Sequence, residues 1–248
     1  MVILKSISEI ELIKRSSKIA AEVLEYLKNV IKPGIKTNEL DKLAESLING
    51  KGGKPAFKGY RGYPSNICVS INEEVVHGIP SDRKLKEGDI VKIDIGVLKD
   101  GFYGDVAATF CVGNVSSEAK KLVEVTEKSL YLGISKVNIN NRIGDVSNAI
   151  QRFVESYNFS VVRNYTGHGI GRALHEEPQI PNFGEPGTGI RFKNGMVFCI
   201  EPMVNIGSFE VETLEDKWTV VTKDRSLSAH FEHAVAIVNG KVEILTKI

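Results

Sequence analysis

Apolar and polar positions follow a helical period at the start of the chain. Apolar residues recur every three or four positions from residue 8 to about residue 30, which is the spacing of an amphipathic helix. Ser8 and Glu11 have the spacing of a capping box, so we expect the helix to begin at Ser8. A second helix is predicted to follow Thr37 and to end in the glycine-rich segment 50–53.

The period changes to that of strands in the next part of the chain. Two β-rich runs, Asp89 to Leu98 and Phe102 to Val112, are joined by Lys99-Asp100-Gly101, which is typical of a tight hairpin. The same two periods predict helices over 117–136 and 142–157 and strands over 67–71, 196–204, 218–222 and 229–238. Segments interrupted by glycine or proline, at 57–64, 167–171 and 178–187, are predicted to be loops.

The order of these elements indicates the fold class. Both halves of the chain contain helices and antiparallel strands, which is typical of an α+β protein. The sequence contains no internal repeat and no linker-like stretch between the halves. We therefore predict a single domain over residues 1–248.

Composition and charge exclude several classes of partner. The chain has 32 basic and 31 acidic residues, so its formal charge is +1 and it has no strong field for nucleic acid or an anionic membrane. Lys5 and Glu9 interrupt the first apolar stretch, so neither a signal peptide nor a membrane span is expected and the protein should be cytoplasmic. Cys68, Cys111 and Cys199 form no metal-binding pair, so we interpret them as three buried thiols.

The predicted hairpin brings two acidic residues together. Folding the runs about residues 99–101 sets Asp94 either directly opposite Asp105 or, if the turn is Asp100-Gly101, diagonal to it. Both carboxylates then share one face of largely apolar strands, where like charges are destabilising. A cation between them would remove the repulsion, although a solvated face remains the structural alternative.

Further acidic residues follow or interrupt apolar strands. Glu201 ends the apolar run 196–200, and Glu232 lies inside the run 229–238. An isolated charge in such a place costs several kcal/mol, so both residues should have a cationic partner, either a metal ion or an Arg or Lys side chain. His168 lies between two glycines, where backbone can approach a ligand, but it could equally be an ordinary hydrogen-bonding residue. His175 does not begin an HExxH zinc helix.

Five motifs, in this order and spacing, resemble the type I methionine aminopeptidases, and the likeness covers almost the whole chain. The motifs are NEEVVHGIP with His77, DIGVLKDGFYGD with Asp94 and Asp105, GHGIGRALHEEP with His168 and His175, IEPM with Glu201, and SAHFEH with Glu232. The resemblance implies the pita-bread fold, an antiparallel sheet in two pseudo-symmetric halves with helices outside. It also implies removal of the N-terminal methionine from peptides and nascent proteins, with a small second residue preferred.

The resemblance also implies a metal site and a catalytic mechanism. The ligands of two divalent ions would be Asp94, Asp105, His168, Glu201 and Glu232, of which Asp105 and Glu232 bridge both ions. Four carboxylates balance the charge of two such ions. A hydroxide between the ions would attack the first carbonyl, with Glu201 as proton shuttle and the free amine of the substrate on one metal. The hard ligand set favours Mn²⁺, Fe²⁺ or Co²⁺, with Zn²⁺ also a candidate.

Substrate contacts follow from the same resemblance. His77 and His175 would hydrogen-bond the scissile amide and the developing oxyanion. The methionine pocket would comprise Phe57, Tyr60, Tyr63, Cys68, Leu174 and Trp218, with ordinary core packing as the alternative interpretation. A monomer that contacts the ribosome only transiently is expected.

Two positions depart from the family pattern. His230 occupies a position where relatives often have glutamine, and strand alternation would place it on the same face as Glu232. We hypothesise that His230 supports the metal ligands without binding the metal. Leu174 occupies a position where an aromatic residue is common, which would slightly widen the pocket.

Two rival functions remain open at this stage. Prolidases and Xaa-Pro aminopeptidases share the five ligands, but they usually carry an extra N-terminal domain and have glycine where this chain has Met203. A metal-free binding protein of the same fold should have lost ligands, and all five are present here. The absence of a long insertion between His175 and Glu232 in the sequence favours the type I form of the family over type II.

Overall fold

Four α-helices account for the helical part of the protein in the computed structural model, which describes residues 2–247. The helices are α1 (Ile7–Val30), α2 (Thr37–Gly50), α3 (Ser117–Ser135) and α4 (Ile143–Glu155). The predicted start of α1 was wrong by about half a turn. Ser6 caps the helix and forms the capping box with Glu9. Ser6 and Ser8 both have an acidic residue three positions later, so the capping-box spacing fits either serine. The hydrogen bond from the Lys5 amide to the Gly195 carbonyl fixes the chain just before Ser6.

Besides one short 3₁₀ helix, fifteen strands form the rest of the regular structure within residues 2–247. Their bounds are β1 (Lys54–Pro55), β2 (Cys68–Ile71), β3 (Glu74–Val76), β4 (Ile90–Lys99), β5 (Phe102–Cys111), β6 (Ser160–Val161), β7 (Gly167–Gly169), β8 (Glu176–Ile180), β9 (Val197–Ile200), β10 (Met203–Asn205), β11 (Val211–Thr213), β12 (Val220–Thr222), β13 (Ser228–His230), β14 (Glu232–Val238) and β15 (Lys241–Ile244). The large sheet has the order β1-β4-β5-β14-β9-β7-β8, with β2 beside β4 and β15 beside β14. All of these pairs are antiparallel, so the predicted α+β class is confirmed.

The hairpin between β4 and β5 has the diagonal register. Asp100 and Gly101 have φ values of 52° and 79°, the left-handed conformation that a two-residue hairpin turn requires. Lys99 therefore pairs with Phe102, and Asp94 pairs with Ala107. Asp105 lies two residues along β5, so its side chain is on the same face as that of Asp94.

Helices cover one face of the large sheet, and the opposite face carries acidic residues beside buried apolar ones. Ile93 and Ile95 of β4 pack with α1 and α2, while Val235 and Ile237 of β14 pack with α3 and α4. Because successive side chains of a strand alternate between faces, Asp94 and Glu232 lie on the side away from these helices. The core that excludes water from the helical side therefore holds the acidic residues in place on the opposite side.

Several predicted boundaries differ from the structure. The run 196–204 divides into β9 and β10, which belong to different sheets, because Glu201 and Pro202 interrupt it. The run 229–238 likewise divides at Phe231. Both glycine- and proline-rich segments of the second half, 167–171 and 178–187, contain strand residues, and 57–64 contains a short 3₁₀ helix at Tyr60–Gly62.

Two of the three cysteines are buried. Cys68 and Cys199 are buried as predicted, but Cys111 is exposed, because it is the last residue of β5. No helix within residues 2–247 combines the length and the apolar character needed to cross a bilayer.

Candidate functional site

One cavity of about 300 Å³ brings together all the site residues that the sequence predicts. The residues that line it on the polar side are Asp94, Asp105, His168, Glu201, Glu232, His77, His175 and His230. The residues that line it on the apolar side are Phe57, Tyr60, Tyr63, Cys68, Leu174 and Trp218. Residues separated by more than a hundred positions in sequence therefore meet in a single concave site.

Three carboxylates converge at the floor of the cavity. Glu232 and Asp94 both pair with Ala107 in the sheet, and Asp105 is diagonal to both, so all three side chains share one face. One oxygen from each of the three lies within 4.8 Å of the other two. An oxygen of each, Oδ1 of Asp94 and Asp105 and Oε1 of Glu232, is buried without a hydrogen-bond partner among residues 2–247. Buried acceptors of this kind are costly unless a cation or donor satisfies them, so the residues fit a metal ion.

His168 adds a further side chain that could bind a metal ion, close to Glu232. Its Nδ1 lies 3.0 Å from the Gly169 carbonyl, which can only accept, so Nδ1 carries the proton. The lone pair of Nε2 is then free, and Nε2 lies 3.5 Å from Oε1 of Glu201. His168, Cys199 and Glu232 also bring one possible ligand atom each within 4.8 Å of one another. The two groups share Glu232, so this carboxylate lies between two potential ion positions.

Burial opposes the ionisation of the four carboxyl groups. Burial, reinforced by the neighbouring acids, raises the pKa of Asp94, Glu201 and Glu232 well above the usual range. Burial raises the pKa of Asp105 to about 7. Four carboxylates cannot all be ionised in this place without positive charge, so the protein alone favours protonated forms and a divalent ion would displace those protons.

Burial has the opposite effect on the imidazoles, which it keeps neutral. Burial lowers the pKa of His77 and His168 to about 4. It lowers the pKa of His175 to about 3, with smaller contributions from His168 and Arg61. It also lowers the pKa of His230 to about 3, with smaller contributions from His77 and Lys92. At neutral pH all four rings therefore carry one N–H donor and one lone pair, which suits them to metal binding or to hydrogen bonding with a substrate.

His77 lies at the mouth of the cavity in a strained backbone conformation. Its φ is 61°, a region that residues other than glycine rarely adopt and that costs free energy. Its ring contacts Tyr165 edge to face, with 5.6 Å between ring centroids, and Trp218 at 6.5 Å. Strain of this kind persists where the surrounding structure fixes a side chain, which supports a functional position for His77.

The apolar wall of the cavity forms a continuous cluster beside the carboxylates. Phe57, Tyr63, Cys68 and Leu174 are all buried in it. Cys68 pairs directly with Asp94 across β2 and β4, so the apolar wall begins next to the acidic floor. The Tyr63 ring packs edge to face on Trp218, with 5.1 Å between centroids. A long apolar side chain could therefore be held with its backbone near the acidic floor.

His230 faces Glu201 from β13. His230 is buried, and its Nε2 has no hydrogen-bond partner in the part of the chain that the structure describes. This nitrogen lies 3.7 Å from Oε2 of Glu201. Its backbone is fixed because the Thr109 hydroxyl accepts a hydrogen bond from the His230 amide at 2.9 Å and donates one to the His230 carbonyl at 2.7 Å. His230 and Glu232 line the same cavity, but they belong to separate strands. The prediction that their side chains point to the same side is therefore confirmed, whereas the reason given for it, alternation along one strand, was wrong.

The glycines around His168 have a different purpose from the one that the sequence suggests. A methyl group on Gly167 would lie 2.3 Å from the Cys199 carbonyl, and one on Gly169 would lie 2.3 Å from the Glu177 carbonyl. The glycines therefore allow β7 to pack closely between β8 and β9, rather than allowing backbone to approach a ligand. This close packing fixes His168 over Glu232.

Sequence patterns miss several residues of the cavity. Cys199 lies beside Glu232, but the sequence predicted it only as a buried thiol. Tyr165 lines the cavity but belongs to none of the five motifs. Asn164 and Thr166 also line the cavity. The alternation of β9 contains one usable signal, since Cys199 is two residues before Glu201 and so points to the same side.

Comparison with known proteins gives the family. The chain matches metallopeptidase family M24 over residues 11–239. It is 53% identical over 248 residues to a methionine aminopeptidase of Clostridium perfringens, with 100% of both chains covered. The crystal structure of a methionine aminopeptidase from Thermotoga maritima superposes with a TM-score of 0.98 at 48% identity and 100% coverage of both chains.

More distant structures share only the fold. A prolidase from Pyrococcus furiosus superposes with a TM-score of 0.81 at 23% identity, covering 99% of this chain and 66% of the prolidase. The pita-bread architecture is therefore confirmed, and an M24 metallopeptidase acts on peptides with the help of a divalent metal ion. The chain belongs to metallopeptidase family M24 and, within it, to the methionine aminopeptidases.

Proposed function

We propose that this chain, acting as a single catalytic domain, removes N-terminal methionine by means of two divalent ions. The ions would be held by Asp94, Asp105, His168, Glu201 and Glu232. The observation that carries the proposal is the set of buried, unpartnered oxygens on Asp94, Asp105 and Glu232. Two ions would neutralise the four carboxylates, whose pKa values burial otherwise raises.

The bound ions would supply an ionised water at neutral pH as the nucleophile and would polarise the scissile carbonyl. Oxygen and imidazole ligands favour Mn²⁺, Fe²⁺ or Co²⁺, with Zn²⁺ as a further candidate. Cys199 adds a sulfur near His168 and Glu232, although burial raises the pKa of its thiol well above the usual range. The proposed substrates are nascent chains at the ribosome and peptides with a small second residue. The protein is proposed to act as a monomer.

The proton transfers are assigned to Glu201. Its two oxygens lie 3.5 Å from His168 Nε2 and 3.7 Å from His230 Nε2, so the carboxyl group lies between these two rings. As a carboxylate beside the bound ions, Glu201 would accept a proton from the ionising water and deliver it to the departing amine. His77 and His175, both neutral, would donate hydrogen bonds to the scissile amide and to the developing oxyanion.

The methionine side chain is assigned to the apolar wall. Phe57, Tyr63 and Trp218 provide aromatic surfaces, against which a thioether gains favourable contacts. The unbranched side chain fits between these rings and Leu174, while the backbone of the first residue lies over the carboxylates. Branched or charged first residues would fit this wall poorly.

Peptide assays test the proposed activity most simply. The purified protein, loaded with Mn²⁺ or Co²⁺, is incubated with Met-Gly-, Leu-Gly- and Xaa-Pro-peptides, and free amino acids are measured. We expect release of methionine from Met-Gly-peptide at a rate at least about 100-fold above that of leucine, a difference of about 2.7 kcal/mol. Release of residues that precede proline, with no methionine, would favour the prolidase activity instead.

Metal binding should stabilise the protein more at high pH than at low pH. Burial raises the pKa of Asp105 to about 7, above its value in the unfolded chain. In metal-free protein its stabilising contribution is therefore complete below about pH 4 and lost as pH rises through 7. Metal ions reverse this loss, so at a hundredfold excess over Kd we expect Mn²⁺ to raise Tm by roughly 5–10 °C at pH 7.5.

The matched measurement at pH 5.5 should show a clearly smaller increase in Tm. Differential scanning calorimetry of chelated and Mn²⁺-loaded protein at both pH values provides the comparison. An increase in Tm that is equal or larger at pH 5.5 would show that the carboxyl groups do not release protons on binding metal.

His230→Gln should lower kcat without removing metal. Because His230 Nε2 faces Oε2 of Glu201, its loss should let that carboxyl group adopt other orientations. We expect a decrease in kcat of about tenfold, equivalent to about 1.4 kcal/mol, with unchanged metal content. Glutamine is used because it keeps the site polar. An unchanged rate and an unchanged metal affinity would show that His230 has no supporting role.

A further inference from the structure

We propose that a buried ion pair between Lys5 and Glu176 positions His175, so that the segment before α1 supports the active site. This inference rests on the substrate-binding role proposed for His175. Lys5 Nζ contacts Oε2 of Glu176, and the two side chains are only 3% and 7% exposed. The two residues are 171 positions apart in sequence.

The N-terminal end of this connection is fixed by backbone contacts. The Lys5 amide donates a hydrogen bond to the Gly195 carbonyl at 2.7 Å, just before β9. Lys5 Nζ also donates to the Ile3 carbonyl at 3.0 Å, which folds residues 3–5 around the ammonium group. The backbone of Lys5 is therefore held to the segment just before β9.

The other end fixes the turn that carries His175. Glu176 begins β8 and pairs with Gly169, so it closes the base of the turn between β7 and β8. Its Oε1 accepts a hydrogen bond from the Ala173 amide at 3.1 Å. Glu176 thus holds the turn from inside with one oxygen and binds Lys5 with the other.

The lysine side chain passes directly beneath this turn. A methyl group on Gly171 would lie 2.4 Å from Lys5 Cε and 2.8 Å from Glu176 Oε1. The Gly171 carbonyl accepts a hydrogen bond from the Tyr103 amide at 2.8 Å. The turn is consequently packed on Lys5 below and on the hairpin beside it.

His175 depends on this turn for its position. Its Nδ1 lies 2.7 Å from the Tyr60 hydroxyl, and its ring centroid lies 4.2 Å from that of His168. Tyr60 holds the ring from the side of the aromatic wall, while the backbone at His175 is held by the neighbouring Glu176. Displacement of the turn would therefore move the imidazole relative to the metal ligands.

The use of an ion pair here points to geometry rather than to stability. Buried ion pairs are often no more stabilising than apolar side chains of similar volume, because both charges must leave water. Charged hydrogen bonds are, however, directional and fix the relative positions of the groups they join. A site that needs an imidazole at a defined distance from the carboxylates benefits from such a connection.

Kinetics and histidine NMR of Lys5→Met test the proposal. Methionine keeps the length of the stem but removes the ammonium group. We expect kcat for Met-Gly-peptide to fall by about tenfold to 100-fold, since small displacements of a catalytic group have effects of this size. The KM should stay within about threefold, because the apolar wall still binds the methionine side chain.

The ring resonances of His175, assigned with His175→Asn, should shift in Lys5→Met, while those of His233 on the other side of the sheet stay in place. Lys14→Met is the matched control, since it removes an exposed ion pair between α1 and Glu243. It should change neither kcat nor the His175 resonances. Unchanged His175 resonances and unchanged kcat in Lys5→Met would overturn the proposal.

A double variant guards against simple loss of folding. In Lys5→Met/Glu176→Gln no buried charge is left unpaired, and the glutamine oxygen can still accept from Ala173. We expect Tm to recover toward that of the unmodified protein while kcat stays about tenfold or more below it. Recovery of kcat together with Tm would show that the pair only stabilises the fold.

His175→Ala separates this proposal from the role on which it rests. If His175→Ala lowers kcat but Lys5→Met leaves kcat and the His175 resonances unchanged, the positioning proposal fails and the role of His175 stands. If His175→Ala leaves kcat unchanged, the role of His175 fails, and the positioning proposal fails with it.

Discussion

Asp105→Asn is expected to lower kcat/KM for methionine release by at least about 10³-fold, which corresponds to about 4 kcal/mol. Asp105 is diagonal to both Asp94 and Glu232 in the sheet and shares a face with them. The amide keeps the size of the side chain but removes one negative charge, so three carboxylates would face two divalent ions. Metal content at a fixed low concentration of Mn²⁺ should therefore fall together with the rate.

Asp100→Asn provides the matched control for this variant. Asp100 lies at the turn of the same hairpin, is exposed, and has φ of 52°, which asparagine tolerates well. The control should keep both rate and metal content. If Asp105→Asn kept more than about a tenth of the rate, corresponding to less than about 1.4 kcal/mol, the proposed metal-binding role of Asp105 would be wrong.

Glu201→Gln is expected to lower kcat by about 10²–10⁴-fold, the range that general acid–base groups contribute. The glutamine can still contact His168 and His230, but it cannot accept and release a proton. The KM for the peptide should change by no more than about threefold, since Glu201 does not contact the methionine pocket. Steady-state kinetics at saturating metal separate the two parameters.

Glu210→Gln is the corresponding control, because Glu210 is an exposed residue that pairs with Lys223 at the surface, away from the cavity. The rate of this control should equal that of the unmodified protein. A Glu201→Gln variant in which KM rises while kcat stays constant would mean that Glu201 binds substrate and does not transfer protons.

The hairpin shows how far sequence can predict this site. Alternation and the Asp100-Gly101 turn placed Asp94 and Asp105 on one face and left two registers open. The positive φ values of both turn residues select the diagonal register. Local turn chemistry therefore determined the position of two proposed ligands, because the strands are adjacent in sequence.

Residues distant in sequence could not be placed in this way. The burial of Glu201 and Glu232 indicated a positive partner, but only the order of the five motifs suggested that they meet Asp94 and His168. The break at Glu201 and Pro202 was hidden, because the apolar pattern continues on both sides of it. Chain direction changes there, and β10 joins a different sheet.

Buried charges away from the motifs gave no usable signal in sequence. Lys92 lies in a run predicted as a largely apolar strand, yet its ammonium group is buried and donates to the carbonyls of Asn72 at 2.7 Å and Ser228 at 2.9 Å. The pairing of Lys5 with Glu176 is similar. Such contacts depend on which loops the fold brings together, and no local period reports them.

The number of metal ions bound at full activity tests the central claim most directly. Chelated protein is titrated with Mn²⁺, while bound metal is measured by elemental analysis and electron paramagnetic resonance, and the rate of methionine release is followed. We predict that the rate saturates at two ions per chain and that their spectrum shows the magnetic coupling of two neighbouring ions. A full rate with fewer than two bound ions would contradict this account.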